Sequence, residues 1–130
     1  MKEGDYTPWG PADFVTELAP GIVSVMTPSH GGIFLDEAHQ ALIPNEIMPF
    51  TEDTRFWEED FDCYVPLLLF RPELHETGAL RQFKFDVAEE ILKRERPRWW
   101  IAIVKAIIKN KLAETNKALR KLKENNSCVE

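Results

Sequence analysis

The chain has 130 residues, 44% of them hydrophobic and 29% charged, and a net charge of −6. That is the size and composition expected of one globular domain with its own core, and it excludes a disulfide-stapled miniprotein and a low-complexity chain. The longest apolar runs, 65–70 and 99–104, are too short to cross a bilayer, and the polar start Met1-Lys2-Glu3-Gly4-Asp5 lacks a signal-peptide core, so no membrane partner and a cytoplasmic location are expected.

The charge is unevenly divided. Residues 1–62 hold thirteen acids against two bases, Lys2 and Arg55, for a net of −11; residues 63–130 hold fourteen bases against nine acids, for +5. Either the two halves pack and cancel, or the first half presents an electronegative face to a basic partner protein. The cations lie on an amphipathic helix beside an acidic first half, so direct nucleic-acid binding is not favoured.

Residues 1–12 read as loop, broken by Pro8, Gly10 and Pro11, with Trp9 as an aromatic anchor. Asp13 to Leu18 is expected to form a short helical turn, with Phe14 and Leu18 on one face, ended by Pro20-Gly21. Ile22-Val23-Ser24-Val25-Met26 is β-branched between breakers and predicts a strand; Ile33-Phe34-Leu35 predicts a second, with Thr27 to Gly32 as a long hairpin-like connection. Asp36 caps a short helix, Glu37 to Leu42, and Pro44 and Pro49 keep the next segment irregular.

Between 55 and 70, Trp57, Phe61, Tyr64, Val65, Leu68 and Leu69 match helical spacing, although 64–70 also fits a buried strand. A proline inside a helix costs about 3 kcal/mol, so the expectation is a helix that kinks or restarts at Pro66. Phe83, Val87, Ile91 and Leu92 mark a helix to about Arg96. Beyond Pro97, apolar positions from Trp100 to Leu122 at intervals of three and four define one long amphipathic helix ended near Asn125-Asn126-Ser127. Its stripe thins after Leu112, so its end is expected to project and pair with a second copy or a partner. The fold class is therefore α+β. A mixed region at 1–72, with a small N-terminal sheet and short helices, precedes a helical region at 73–130, within one domain. Cys63, in an apolar run, reads as a buried thiol and Cys128 as an exposed one, with no disulfide between them expected in a reducing compartment.

Two stretches carry candidate chemistry. In Met26-Thr27-Pro28-Ser29-His30-Gly31-Gly32, the imidazole of His30 is a candidate acid, base or metal ligand, Ser29 and Thr27 are donors for an anion, and the glycines permit close approach of a ligand or a second backbone. The plainer reading is a turn with His30 in solvent. The string is neither a phosphate-binding loop nor a nucleophile elbow. In Phe56-Trp57-Glu58-Glu59-Asp60-Phe61-Asp62, a helix would put Glu58 and Asp62 on one face. Two of these carboxylates with His30 could hold a divalent cation, magnesium or manganese by oxygen content; the plainer reading is a solvated acidic first turn with no metal or cofactor. His30, Ser29, Asp60 and Asp62 are thus the catalytic candidates, and Asp53, Trp57, Glu58, Glu59, Asp60 and Asp62 the partner-binding candidates. His39 and His75 read as surface residues, and Trp99-Trp100 as a pair at the core edge.

Thr7-Pro8-Trp9-Gly10-Pro11, Ala19-Pro20-Gly21-Ile22-Val23, Thr27-Pro28-Ser29-His30-Gly31-Gly32 and Trp57-Glu58-Glu59-Asp60-Phe61-Asp62 occur in that order. Together they resemble an uncharacterised family of small domains carried by phages, plasmids and mobile elements, over about residues 7–72. Phe56 and Phe61 depart from that pattern, and the tail from Glu73 lies outside it. The resemblance implies no mechanism. It implies a setting, that of genes acting on host defences or host enzymes, with His30 and the acidic cluster as the shared site. The expected function is a small acidic protein that binds and inhibits a host defence or nucleic-acid-handling protein. The competing reading is a small enzyme or nucleotide-sequestering protein built around His30.

Overall fold

A computed structural model of the chain describes residues 1–127, with Phe83 and Ser127 described in the backbone alone. Cys128, and with it the question of a disulfide to Cys63, lies outside the described residues. Two short strands, β1 (Tyr6–Thr7) and β2 (Gly10–Pro11), form a small antiparallel ribbon. A four-stranded antiparallel sheet comes next, in the order β3 (Phe14–Ala19), β4 (Ile22–Met26), β5 (Gly31–Leu35), β6 (Phe56–Glu58), with α1 (Glu37–Gln40) between the last two strands. Then come α2 (Tyr64–Leu69), α3 (Arg71–Thr77), α4 (Gln82–Glu95) and α5 (Pro97–Ser127). This is the expected α+β architecture with a terminal long helix.

The expected helical turn at 13–18 is instead strand β3. Phe14 and Leu18 are four apart, which fits a helix face but equally fits one face of a strand, and β-branched Val15 and Thr16 favour the strand. Pairing decides it: Phe14 stands opposite Met26 and Thr16 opposite Ser24. Pro20-Gly21 is then the two-residue hairpin turn, with Gly21 at φ +83° supplying the left-handed second position that follows a proline.

Gly31 and Gly32 also differ from expectation. They lie inside β5, opposite Met26 and Val25, and the β4–β5 connection shrinks to Thr27–His30. Thr27 closes that loop: its hydroxyl donates to the His30 carbonyl (2.7 Å) and accepts from the His30 N–H (3.1 Å). A β-carbon on Gly32 would meet the Trp57 carbonyl oxygen and stand 2.6 Å from Cη2 of Trp9. The glycine serves close packing of the chain on itself, with Trp9 edge-on to Phe56 at 5.9 Å.

The helix expected across 55–70 breaks in two. Residues 56–58 form β6, held by Ile33 opposite Trp57 and Phe34 opposite Phe56. The helix begins only at Tyr64, so Pro66 falls in the first turn, where its missing N–H removes no bond and no kink arises. α3, with Pro72 at its start and Gly78 at φ +69° as its left-handed cap, was not foreseen.

One apolar cluster joins the sheet to the helices. Ile22, Ile33, Leu35 and Trp57 meet Val65, Leu68, Phe85, Leu92 and Ile103. α5 contributes Ala102 and Ile103 to this core, but Ile108, Leu112, Leu119 and Leu122 are each more than half exposed. At about 1.5 Å per residue, its 31 residues span roughly 46 Å, so the distal half extends beyond the body. Among the described residues no helix is long and apolar enough to cross a membrane.

Candidate functional site

The sheet register assembles the site. The loop between β4 and β5 ends at His30, and β6 ends at Glu58, paired alongside through Gly32. A backbone bond from the Glu59 N–H to the Gly31 carbonyl (2.9 Å) continues the pairing past the strand end. His30, Glu58 and Asp60 thereby converge, one ligand atom from each lying within 4.8 Å of the other two. His30 Nδ1 is 3.5 Å from Glu58 Oε1, with the imidazole half exposed and the Glu58 side chain 21% exposed. Glu59 and Asp60 are exposed.

The other site candidates lie elsewhere. The Ser29 hydroxyl makes a long bond, 3.4 Å, to the Trp9 carbonyl and is not held as a nucleophile by His30. Asp53 is gripped by Arg55, which donates Nη2–H at 2.7 Å and Nε–H at 3.0 Å. Those bonds hold its carboxyl below the usual value and withdraw it from any free acidic surface.

Trp57 is fully buried, its indole N–H donating to the Thr54 carbonyl at 2.8 Å, so it belongs to the core. Asp62 is 6% exposed and accepts the Phe50 N–H at 2.6 Å. Burial raises its pKa, while the Phe50 N–H and the Arg96 charge oppose that rise. It therefore neither shares a face with Glu58 nor joins His30. Of the six expected partner-binding residues, Glu58, Glu59 and Asp60 remain at an open edge.

Cys63 is buried as expected. Burial, reinforced by the nearby Asp62 and Glu59 charges, pushes its thiol up to about 12, and Sγ donates to the Glu59 carbonyl. Such a thiol is inert at neutral pH.

His39, read from sequence as a surface residue, has a ring only 13% exposed. It stands edge-on to Phe70 at 4.8 Å, with Nδ1 2.6 Å from Asp36 and Nε2 2.9 Å from Glu73. Burial alone would lower its pKa, but the bonds to Glu73 and Asp36 outweigh that and leave it raised. Asp36 also accepts the His39 N–H as the cap of α1, which lowers its own pKa. With both ring nitrogens engaged by carboxylates, His39 is an imidazolium clasp between α1 and α3. Asp36 three residues before His39 was the available sequence signal; Glu73, 34 residues on, gave none.

Four grooves are lined by residues other than His30, Glu58 and Asp60. The first, about 480 Å³, lies where α5 leaves the body, between Leu42, Phe70, Pro72, Ile107 and Lys111. The others are lined by α3 with the β3–β4 turn, by distal α5, and by the start of α5 with Glu46. His30, half exposed, stands with Glu58 and the exposed Asp60 at the end of the sheet. The site offers one imidazole nitrogen and two carboxylates, with no hydroxyl or thiol poised for attack.

No curated protein and no solved structure matches the chain. A family model described as a domain of unknown function, DUF7007, matches residues 2–126. The match takes in the helical region beyond Glu73, which the sequence motifs had left outside, so sheet, site and long helix fall within one family domain. By that match the chain belongs to the DUF7007 family of domains of unknown function.

Proposed function

We propose that the protein is a binding module whose acidic edge, Glu58 to Asp60, docks on a basic surface of a partner protein. The observation that carries this reading is the exposure of Glu59 and Asp60 directly after β6, beside the partly exposed Glu58. The resemblance to mobile-element domains supports a host partner in the host cytoplasm: a defence or nucleic-acid-handling protein, inhibited because carboxylates stand where phosphates would bind. The Ser29 hydroxyl, turned to the Trp9 carbonyl and not to His30, supports binding over catalysis.

The distal half of α5 supports a second contact. Ile108, Leu112, Leu119 and Leu122 follow the alternating three- and four-residue steps of a coiled-coil seam on the exposed face, with Thr115 in the gap. We assign that seam to a second copy of the chain. Lys109 and Lys111, on either side of that seam, would repel in direct helix–helix pairing. The opposite charge of residues 1–62 makes the partner copy's acidic half the complementary surface. Sedimentation should show a salt-sensitive dimer, lost in Leu112→Glu/Leu119→Glu.

The docking reading is tested by capture from host lysate at low and high salt. A basic protein held by the wild type at low salt should be lost with Glu59→Lys/Asp60→Lys, while circular dichroism shows the fold intact. A captured set unchanged by the charge reversal overturns the proposal.

A further inference from the structure

We infer that His30, Glu58 and Asp60 form a site for one divalent first-row metal ion, with zinc or manganese as the chemical class. This goes beyond partner docking and does not depend on it, since the ion alone is the ligand.

The donor set is the first reason. An imidazole nitrogen with two carboxylate oxygens suits borderline cations, whereas magnesium and calcium prefer oxygen alone. Geometry is the second. Two ligands on one ion, each bonded at about 2.0–2.1 Å, stand roughly 2.8–3.4 Å apart in octahedral or tetrahedral coordination. His30 Nδ1 and Glu58 Oε1 are 3.5 Å apart, and Asp60 completes a triangle with no ligand atoms more than 4.8 Å from one another. Side-chain rotation of an exposed aspartate is enough to close it around an ion.

The third reason is how the ligands are held. They come from two stretches 28 residues apart in sequence, and the sheet ladder and the Glu59 N–H to Gly31 carbonyl bond fix both backbones. An ion therefore finds a site ordered by the fold, with little loop entropy left to lose. Electrostatics is the fourth. Glu59 adds a third carboxylate beside Gly31, its Oε2 lying 3.1 Å from where a β-carbon of that glycine would stand. The two carboxylate ligands would be neutralised by a bound dication. Three protein ligands leave coordination positions for water, the pattern of an open site rather than a closed structural one.

The test uses the full chain, stripped with chelator. Titration calorimetry with Zn²⁺ and with Mn²⁺ should show one equivalent bound, with Mg²⁺ at least tenfold weaker. His30→Ala and Asp60→Asn should each weaken binding at least tenfold, while Glu46→Gln, at a remote exposed position, should not. A measurement on the wild-type chain needs no variant: substoichiometric Mn²⁺ should broaden the ring resonances of His30 and spare those of His39 and His75. Absence of binding, binding unchanged in both ligand variants, or broadening centred on His39 or His75 overturns the inference.

Discussion

Gly32→Ala tests whether the paired glycines serve the chain's own packing or a ligand. The new β-carbon would run into the Trp57 carbonyl oxygen and stand 2.6 Å from Cη2 of Trp9. The carbonyl belongs to β6, whose neighbouring Glu58 pairs with Gly32, so it cannot retreat without loosening the β5–β6 ladder. Overpacking of this kind costs about 1–3 kcal/mol, and a backbone obstacle puts it at the upper end. The φ of Gly32 is ordinary, so alanine also returns about 0.4–1 kcal/mol by restricting the unfolded chain. The net loss is about 2 kcal/mol, or roughly 6–10 °C in Tm for a domain of this size.

Urea titration followed by tryptophan fluorescence measures it. Trp9→Ala in the same background removes one of the two obstacles, so the double variant should be more stable than the sum of the single losses predicts. A Gly32→Ala protein as stable as the wild type would refute the close approach and return these glycines to a ligand-binding role.

The clasp at His39 makes stability depend on pH. Its folded pKa lies above the ordinary 6.5, so its contribution is fully present below that value and is lost as pH rises through the folded pKa. His39→Gln should therefore fall short of the wild type most at pH 5.5, the gap narrowing by pH 9; a gap in urea midpoint that ignores pH contradicts the clasp. Asp62 should prove structural: Asp62→Asn, which still accepts the Phe50 N–H, should stay near wild-type stability at pH 7. Asp62→Leu, which leaves that donor unpaired, should lose about 1–3 kcal/mol in the same titration; equal stability of the two variants would refute it. In a Cys128→Ser chain, Cys63 should react with a disulfide reagent only as the protein unfolds, as its burial and raised pKa require. Prompt labelling of the native chain would contradict its placement.

Elements set by local periodicity or by a local cap are legible in the chain alone. β4 came from a β-branched run between breakers, α1 from the Asp36 cap, and α4 and α5 from intervals of three and four, with Pro97 separating them. The exposure of α5 beyond Leu112 was legible because its apolar stripe thins there. Where the local pattern is open, packing across the molecule makes the choice. Phe14 and Leu18 fit a helix or a strand, and only the partner strand chose. The carboxylates from Glu58 to Asp62 read as one cluster in sequence. The end of β6 and the turn after it then dispersed them, sending Asp62 inward and leaving Glu58 and Asp60 beside His30. Glu73 reached His39 across 34 residues for the same reason. Pairings between distant stretches depend on strand register and on burial of the shared core, and neither is written in the spacing of neighbouring residues.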